Sequence, residues 1–448
     1  MSSNDAVSQV SESLPENKIV LFWSFTVWLV VMNTTMFNVA LPNVLFDLSL
    51  TSATAAWIVS GYSIVFAIAT LTYSRLSDFI PLARLLQIGL MILGIASVIG
   101  FFASNFYLIL MARILQAAGA GAVPGLGMVL ASRYIPISRR GKAMAYISSG
   151  ASLGFGLGPV IGGIITQYLG WNYLFVVTGF VFLLMPIFMR LLPKEVVKVG
   201  QFDLVGAVLT GLAVTGFLLF LSTYSVILLV VTVGLAGLLW RHLKLIELPF
   251  IQPKLLKNRQ YTKLLYIGFI AFVLHFTALF LMPIILTTVF GKEPAAVGLI
   301  IFPGAILSAI AAQFIGRVID RFGNIPVIVF GQSLFVISTV LFATTAKIGP
   351  GFILFTYMFL SVGFSALTSS VSNEYSRILP KEEIGTGIGL AQLLQFFGGA
   401  FGVTMTGLML AQNMTYQYIF IVLIVLILSS FSVFGLYTKT KKRLIVEG

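Results

Sequence analysis

Residues 264–291, LLYIGFIAFVLHFTALFLMPIILTTVFG, run without a formal charge between Lys263 and Lys292. The run exceeds the about 20 apolar residues that a helix needs to cross a bilayer core. Comparable runs recur along the chain, and fourteen of them begin near Ile19, Thr54, Arg84, Tyr107, Lys142, Trp171, Asp203, Ser225, Thr262, Pro294, Ile325, Pro350, Ile384 and Tyr416. Composition agrees, since 58% of the 448 residues are hydrophobic and 9% are charged, against about 25% charged in a soluble domain. These figures exclude a water-exposed globule and predict an all-α integral membrane protein whose first partner is the lipid bilayer.

Charge placement fixes the expected orientation. Of the 27 Lys and Arg residues, Lys292 and Lys347 fall in loops on one side, Arg113 falls within a span, and all the others fall on the side of the termini. The positive-inside rule makes that side cytoplasmic, so the net charge of +13 is topological and does not point to nucleic acid. The polar tail, residues 1–18, lacks the basic region and cleavage site of a signal peptide, so the first span is expected to be retained. With no Cys and two His, thiolate chemistry is excluded and a catalytic cluster is hard to assemble, so neither an enzyme nor a metal or cofactor is expected.

Three landmarks recur in order, as parallel internal repeats of a transporter would. Leu41-Pro42 returns as Met282-Pro283, Arg75-Leu76-Ser77-Asp78 as Arg317-Val318-Ile319-Asp320, and Tyr134-Ile135-Pro136 as Ile378-Leu379-Pro380, at offsets of 241, 242 and 244. The expected domains are a cytoplasmic tail 1–18, a six-helix bundle 19–192, an inserted helix pair with linkers 193–261, a second six-helix bundle 262–437 and a basic cytoplasmic tail 438–448.

The fifth span contains GASLGFGLGPVIGG, residues 150–163, in which Gly150, Gly154, Gly158 and Gly162 share one helix face, the pattern of close backbone packing. Pro159 removes one helical hydrogen bond. This segment resembles the span-5 antiporter motif of the drug:H+ antiporters of the major facilitator superfamily. Ser74-Arg75-Leu76-Ser77-Asp78 with Arg84 resembles the family's loop 2–3 signature, with Ser74 and Pro81 in place of two glycines. Arg113-Ile114-Leu115-Gln116-Ala117 resembles its span-4 signature, with Ala117 in place of glycine. Asn38-Val39-Ala40-Leu41-Pro42 and Phe202-Asp203-x-x-Gly206 are similar to the fourteen-span branch that includes the Gram-positive tetracycline and quaternary-ammonium exporters. The resemblance implies the major facilitator fold, two six-helix bundles plus two inserted helices. It also implies a gating role for Asp78, with Arg84 and the repeat partner Asp320 beside other arginines at span ends, where ion pairs form and yield.

None of the fourteen acidic residues falls in the middle of a span. The span-1 neighbourhood, where the family usually carries a carboxylate, reads Met32-Asn33-Thr34-Thr35. Proton coupling is therefore expected from Arg113, about 10 Å inside span 4, from His275 in the middle of the opening stretch, and from Glu374. For Glu374 a surface pair with Arg377, three residues on, is the plainer expectation. Asn33, Thr34, Asn38, Tyr62, Gln116, Gln392 and Gln395 are expected to line a substrate cavity. The resulting expectation is a monomeric bacterial plasma-membrane exporter of lipophilic aromatic drugs, fluoroquinolone-like zwitterions and monovalent dyes, driven by H+ as coupling ion. The alternatives are an importer or uniporter of a small metabolite and a Na+-coupled exporter.

Overall fold

A computed structural model describes residues 15–77, 79–135, 137–192, 202–247, 249–380 and 383–446. The first six spans are α1 (Glu16–Asp47), α2 (Ser52–Leu76), α3 (Leu82–Phe101), α4 and α5 (Phe106–Ala120 and Ala122–Tyr134, one span bent at Gly121), α6 (Ile137–Tyr168), and α7 with α8 (Tyr173–Gly179 and Met185–Leu191, joined by a 3-10 turn). Two further spans, α9 (Leu204–Thr223) and α10 (Val226–Leu245), precede the short α11 (Pro253–Lys257). The last six are α12 (Arg259–Thr288), α13 (Pro294–Phe322), α14 (Asn324–Thr345), α15 (Pro350–Ile378), α16 (Ile384–Ala411) and α17 (Tyr416–Val446). Among the described residues, 13 helical segments are long and apolar enough to cross a membrane. The glycine-rich α6, 32 residues long, is not among these 13 and runs between α1 and α13.

Sequence signals at the helix ends explain several boundaries. Thr51, Asn105, Asp203 and Asn258 each accept a backbone N–H of the following first turn through a side-chain oxygen, which satisfies donors that a helix start leaves unpaired. Gly323, at φ +80°, separates α13 from α14 by a single residue, a conformation for which glycine carries no Cβ penalty. Pro42 and Pro283, the first repeat landmark, both lie inside their helices.

Two apolar cores match the two repeats, one built mainly from α1 to α8 and the other mainly from α12 to α17. The bundles meet along α6 with α13 and along α2 with α16. The inserted α9 packs on α2 and α16, one helix from each bundle, and α10 lies against α9. Their base is clasped by Asp203, which accepts from the N–H of Gly206 and of Phe250 at 2.7 and 2.8 Å and meets His242 Nε2 at 2.7 Å. Burial opposes the Asp203 charge, but these three donors outweigh it and hold the carboxyl below its ordinary range.

Candidate functional site

On the side away from the termini, the bundles close by backbone contact. Gly163 packs on Pro294 and Ala295, Gly298 packs on Pro159 and Val160, and Gln167 Oε1 accepts the N–H of Ala295 at 3.1 Å. Gly407 fits similarly against Ser52, Ala53 and Ala56. The opposite face of α6 seats the glycine series on α1: Gly150 on Ser24, Gly154 on Trp28, Gly158 on Met32 and Thr35, Gly162 on Met36. Thr35 Oγ1 donates across that seam to the carbonyl of Gly154 at 3.2 Å. The motif is thus a packing seam on one face, while the Pro159 carbonyl on the other meets Gly298 and faces the second bundle.

A cavity of about 200 Å³ lies between the bundles, lined by α6 on one side and by α12, α13 and α15 on the other. Ala151 and Phe155 form its first-bundle wall, and His275, Tyr357 and Phe364 form part of the other. Ala305, Ala309 and Ala312 and the hydroxyl residues Ser308, Ser361, Ser365, Thr368 and Ser369 complete the described lining, and no Lys, Arg, Asp or Glu is among the described residues that line it. The His275 ring stacks on Phe364 with centroids 3.9 Å apart and planes 10° apart. Its Nδ1 is sealed and without a hydrogen-bond partner, which leaves Nε2 as the nitrogen with access to the cavity. Phe66, Phe272, Phe364 and Phe396 form an edge-to-face wall across the centre of the molecule.

Arg113 does not reach this cavity. Its guanidinium lies between the rings of Phe37 and Tyr62, 4.1 and 4.0 Å from their centroids, and donates to Asn33 Oδ1 and Gln116 Oε1, both at 3.1 Å. Thr178 donates to the same Asn33 oxygen, and Gln116 Nε2 donates to Ser97. Side chains from α1, α2, α3, α4 and α7 thus close around a cation that is 1% exposed. The expected cavity residues Asn33, Tyr62 and Gln116 belong to this hub because a buried guanidinium with no carboxylate beside it draws every nearby amide and π-face. Thr34 donates back to the carbonyl of Val30, Asn38 is buried within α1, and Gln395 is buried beside Gly268 and Tyr375. Gln392 is half-buried, and none of these four lines the cavity.

Glu374 also departs from expectation. It is fully buried, whereas Arg377 is exposed, so the surface pair is replaced by a polar cluster inside the second bundle. Asn324 and Tyr437 both donate short hydrogen bonds to its carboxylate, and Asn373 donates to Asn324. A carboxylate entering an apolar bundle needs such donors. Arg84 is exposed. Asp78 and the side chain of Asp320 lie outside the described residues, so the ion-pair gate expected there has no counterpart to describe. Sequence reasoning passed over Ser361, Ser365, Thr368 and Ser369, although their spacing puts them on one face of a helix.

Comparison with known proteins follows the fold closely. The description "Major Facilitator Superfamily" matches residues 23–403 and again 264–446. An uncharacterized MFS-type transporter of Bacillus subtilis (strain 168), YwoD, is 27% identical over 86% of this chain and 88% of its own length. The riboflavin transporter RibZ of Clostridioides difficile (strain 630) is 25% identical over 87% of each chain. The crystal structure of a bacterial homologue of the human lysosomal transporter Spinster, in an inward-facing and occupied conformation, superposes with a TM-score of 0.69 at 13% identity, covering 95% of this chain and 97% of that one. The chain belongs to the major facilitator superfamily, a multi-pass membrane family of transporters.

Proposed function

We propose that this superfamily member carries a small uncharged metabolite by alternating access, as a facilitated carrier, rather than exporting drugs against a proton gradient. The observation that carries the reading is the cavity: among the described residues its lining holds no charged side chain and its volume is about 200 Å³, below the about 300–1,000 Å³ typical of drug-sized ligands. Solutes that keep a formal charge find no counter-charge there. Proton coupling finds little support among the groups expected to carry it. Glu374 is held as an acceptor by two donors, Arg113 is enclosed by neutral partners, and a second proton on His275 would strand a ring N–H at the sealed Nδ1. The relative named for riboflavin transport adds a metabolite to this side of the balance. The span-5 seam is the feature that favours the export branch by resemblance, and its packing on α1 serves any carrier of this fold.

The chain would act in a bacterial plasma membrane as a monomer with cytoplasmic termini, as the basic loops favour. Proteoliposome counterflow tests the function. Labelled neutral metabolites small enough for the cavity should exchange at a rate unaffected by an imposed pH gradient of either sign. Norfloxacin or ethidium efflux that follows the pH gradient and collapses with an uncoupler would overturn the reading in favour of proton-driven export.

A further inference from the structure

The first bundle carries a recess on its lipid side, and the pairing of α3 with α7 and the 3-10 turn Phe180–Leu183 explains its shape. α3 runs away from the side of the termini and α7 runs back toward it, so Gly100, Ser97 and Gly94 face Phe175, Gly179 and Phe182 in turn. The Phe175 ring fills the face of Gly100, and the Phe182 ring fills that of Gly94. Between them a Cβ on Gly179 would have Ser97 Cβ, at 3.9 Å, as its nearest neighbour. Large rings at both ends and small residues in the middle leave a gap of about 420 Å³. Val98, Phe102, Val176, Phe180 and Leu183 are exposed around it.

Chemistry decides what can fill this gap. Its described lining is Phe, Val, Leu and Gly with one hydroxyl, that of Ser97. The hydroxyl donates to the Leu93 carbonyl and accepts from Gln116 Nε2, both at 2.8 Å, so it has no proton to offer a ligand. An ordered water needs about two to four polar partners and finds none here. An empty gap would forfeit dispersion contacts along every wall. The lining from Phe175 to Leu183 extends about 12–14 Å along α7 and the turn, most of the about 15 Å that one leaflet contributes to the hydrocarbon core. At the end away from the termini, exposed Phe102 and Tyr173 are placed like the aromatic residues of a membrane interface.

We propose that the recess is a binding site for one lipid acyl chain, which enters beside Phe102 and lies over Ser97 and Gly179 between the Phe175 and Phe182 rings. The site serves whatever solute the carrier takes. Lipid tails already surround the protein, so preference for the recess over the bulk bilayer comes from packing alone. About five extra atom contacts of ordinary dispersion depth amount to about threefold. Ser97 holds Gln116, which holds Arg113, so a filled recess also keeps that polar cluster dry.

Photolabelling of the full chain in phosphatidylcholine vesicles tests the proposal, with a phosphatidylcholine that carries a diazirine midway along one acyl chain as the probe. The start of α10 is the internal control, because Val226, Ile227, Val230 and Val233 are exposed in the same leaflet without lining the recess. Adducts on residues 97–102 and 175–183 should exceed those on residues 226–233 by at least about threefold. Gly179→Leu puts a side chain into the gap, and Val98→Trp covers it. Each should bring the recess down to the α10 level, and either one serves if the other fails to fold. Equal labelling of the two faces, or unchanged labelling in the folded variants, overturns the proposal. So does recess labelling that falls selectively as the protein-to-lipid ratio rises, which would make the recess a contact between two copies of the chain.

Discussion

Gly298 is where the alternating-access reading can be struck most directly. A Cβ at this position would stand 2.8 Å from the carbonyl carbon of Pro159 and 2.9 Å from Cα of Val160, with the Pro159 oxygen closer still. All three are backbone atoms of α6 and cannot rotate away. Gly298→Ala should therefore hold the two helices apart on the side away from the termini, at an overpacking cost of about 1–3 kcal/mol. Since 1.4 kcal/mol is a tenfold change in an equilibrium constant, the closed state should lose about 5- to 150-fold in population relative to the open one. Gly316 lies on the same α13 with no atom within 4 Å of its would-be Cβ, so Gly316→Ala is the matched control. The chain contains no Cys, so spin labels on Tyr168→Cys and Leu299→Cys, two exposed positions near the facing helix ends, report the opening without background. Gly298→Ala should move the distance distribution outward and slow counterflow, and Gly316→Ala should do neither. Identical distributions in both variants would refute closure by this glycine contact.

Three other perturbations probe the polar clusters. Arg113→Lys keeps the charge but loses the planar fork and the sandwich between Phe37 and Tyr62, and should cost about 2 kcal/mol or more, read as a lower melting temperature in detergent. Glu374→Gln sets an amide N–H₂ against donors from Asn324 and Tyr437, and should destabilise by about 1–3 kcal/mol in the same assay, more than Tyr437→Phe. Asp203→Asn should loosen the inserted pair by about 0.5–2 kcal/mol, the scale of a lost helix cap, seen as faster amide exchange at the start of α9. Because the folded Asp203 carboxyl is held below its ordinary 3.8, its stabilisation is complete above that pH and is lost as pH falls through the lower folded value. The wild type should therefore lose its advantage over Asp203→Asn in acid.

The parts of this molecule that were legible in the chain are those with local causes. Uncharged runs, cap residues and the four-residue glycine spacing each act within one helix or along one face, and the spans and the close packing of one α6 face follow from them, whereas α1 as its partner came from the structure. His275 stood out because a titratable group in mid-span is rare. The closed hub was out of reach because Arg113 is enclosed by residues far away in sequence, with Asn33 80 positions away and Thr178 a further 145 from Asn33. Glu374 was misplaced for the same reason, since Asn324 and Tyr437 are 50 and 63 residues from it, and only tertiary packing supplies their donors. Ser365 and Ser369 were visible as a face and overlooked because a single hydroxyl on a membrane helix more often bonds its own backbone, as Ser370 and Thr368 do here.

Arg113 and Glu374, one buried charge within each bundle, bear on how opening and closing could be rigid-body events. Among the described residues, the hydrogen-bond partners named for Arg113 come from the first bundle and those named for Glu374 from the second, so none of these bonds reaches across the boundary. Breaking either would strand a charge in an apolar medium, which costs far more than parting two glycine surfaces. Relative motion is therefore cheapest between the bundles, where Gly163, Gly298 and Gly407 meet backbone and small side chains and the one ordered polar bond named there is Gln167 to Ala295. A boundary poor in charge has a further consequence for the cargo. On the proposed carrier reading, a solute that brings no charge into the cavity would leave both clusters undisturbed, so that the same rocking equilibrium would serve the loaded and the empty carrier.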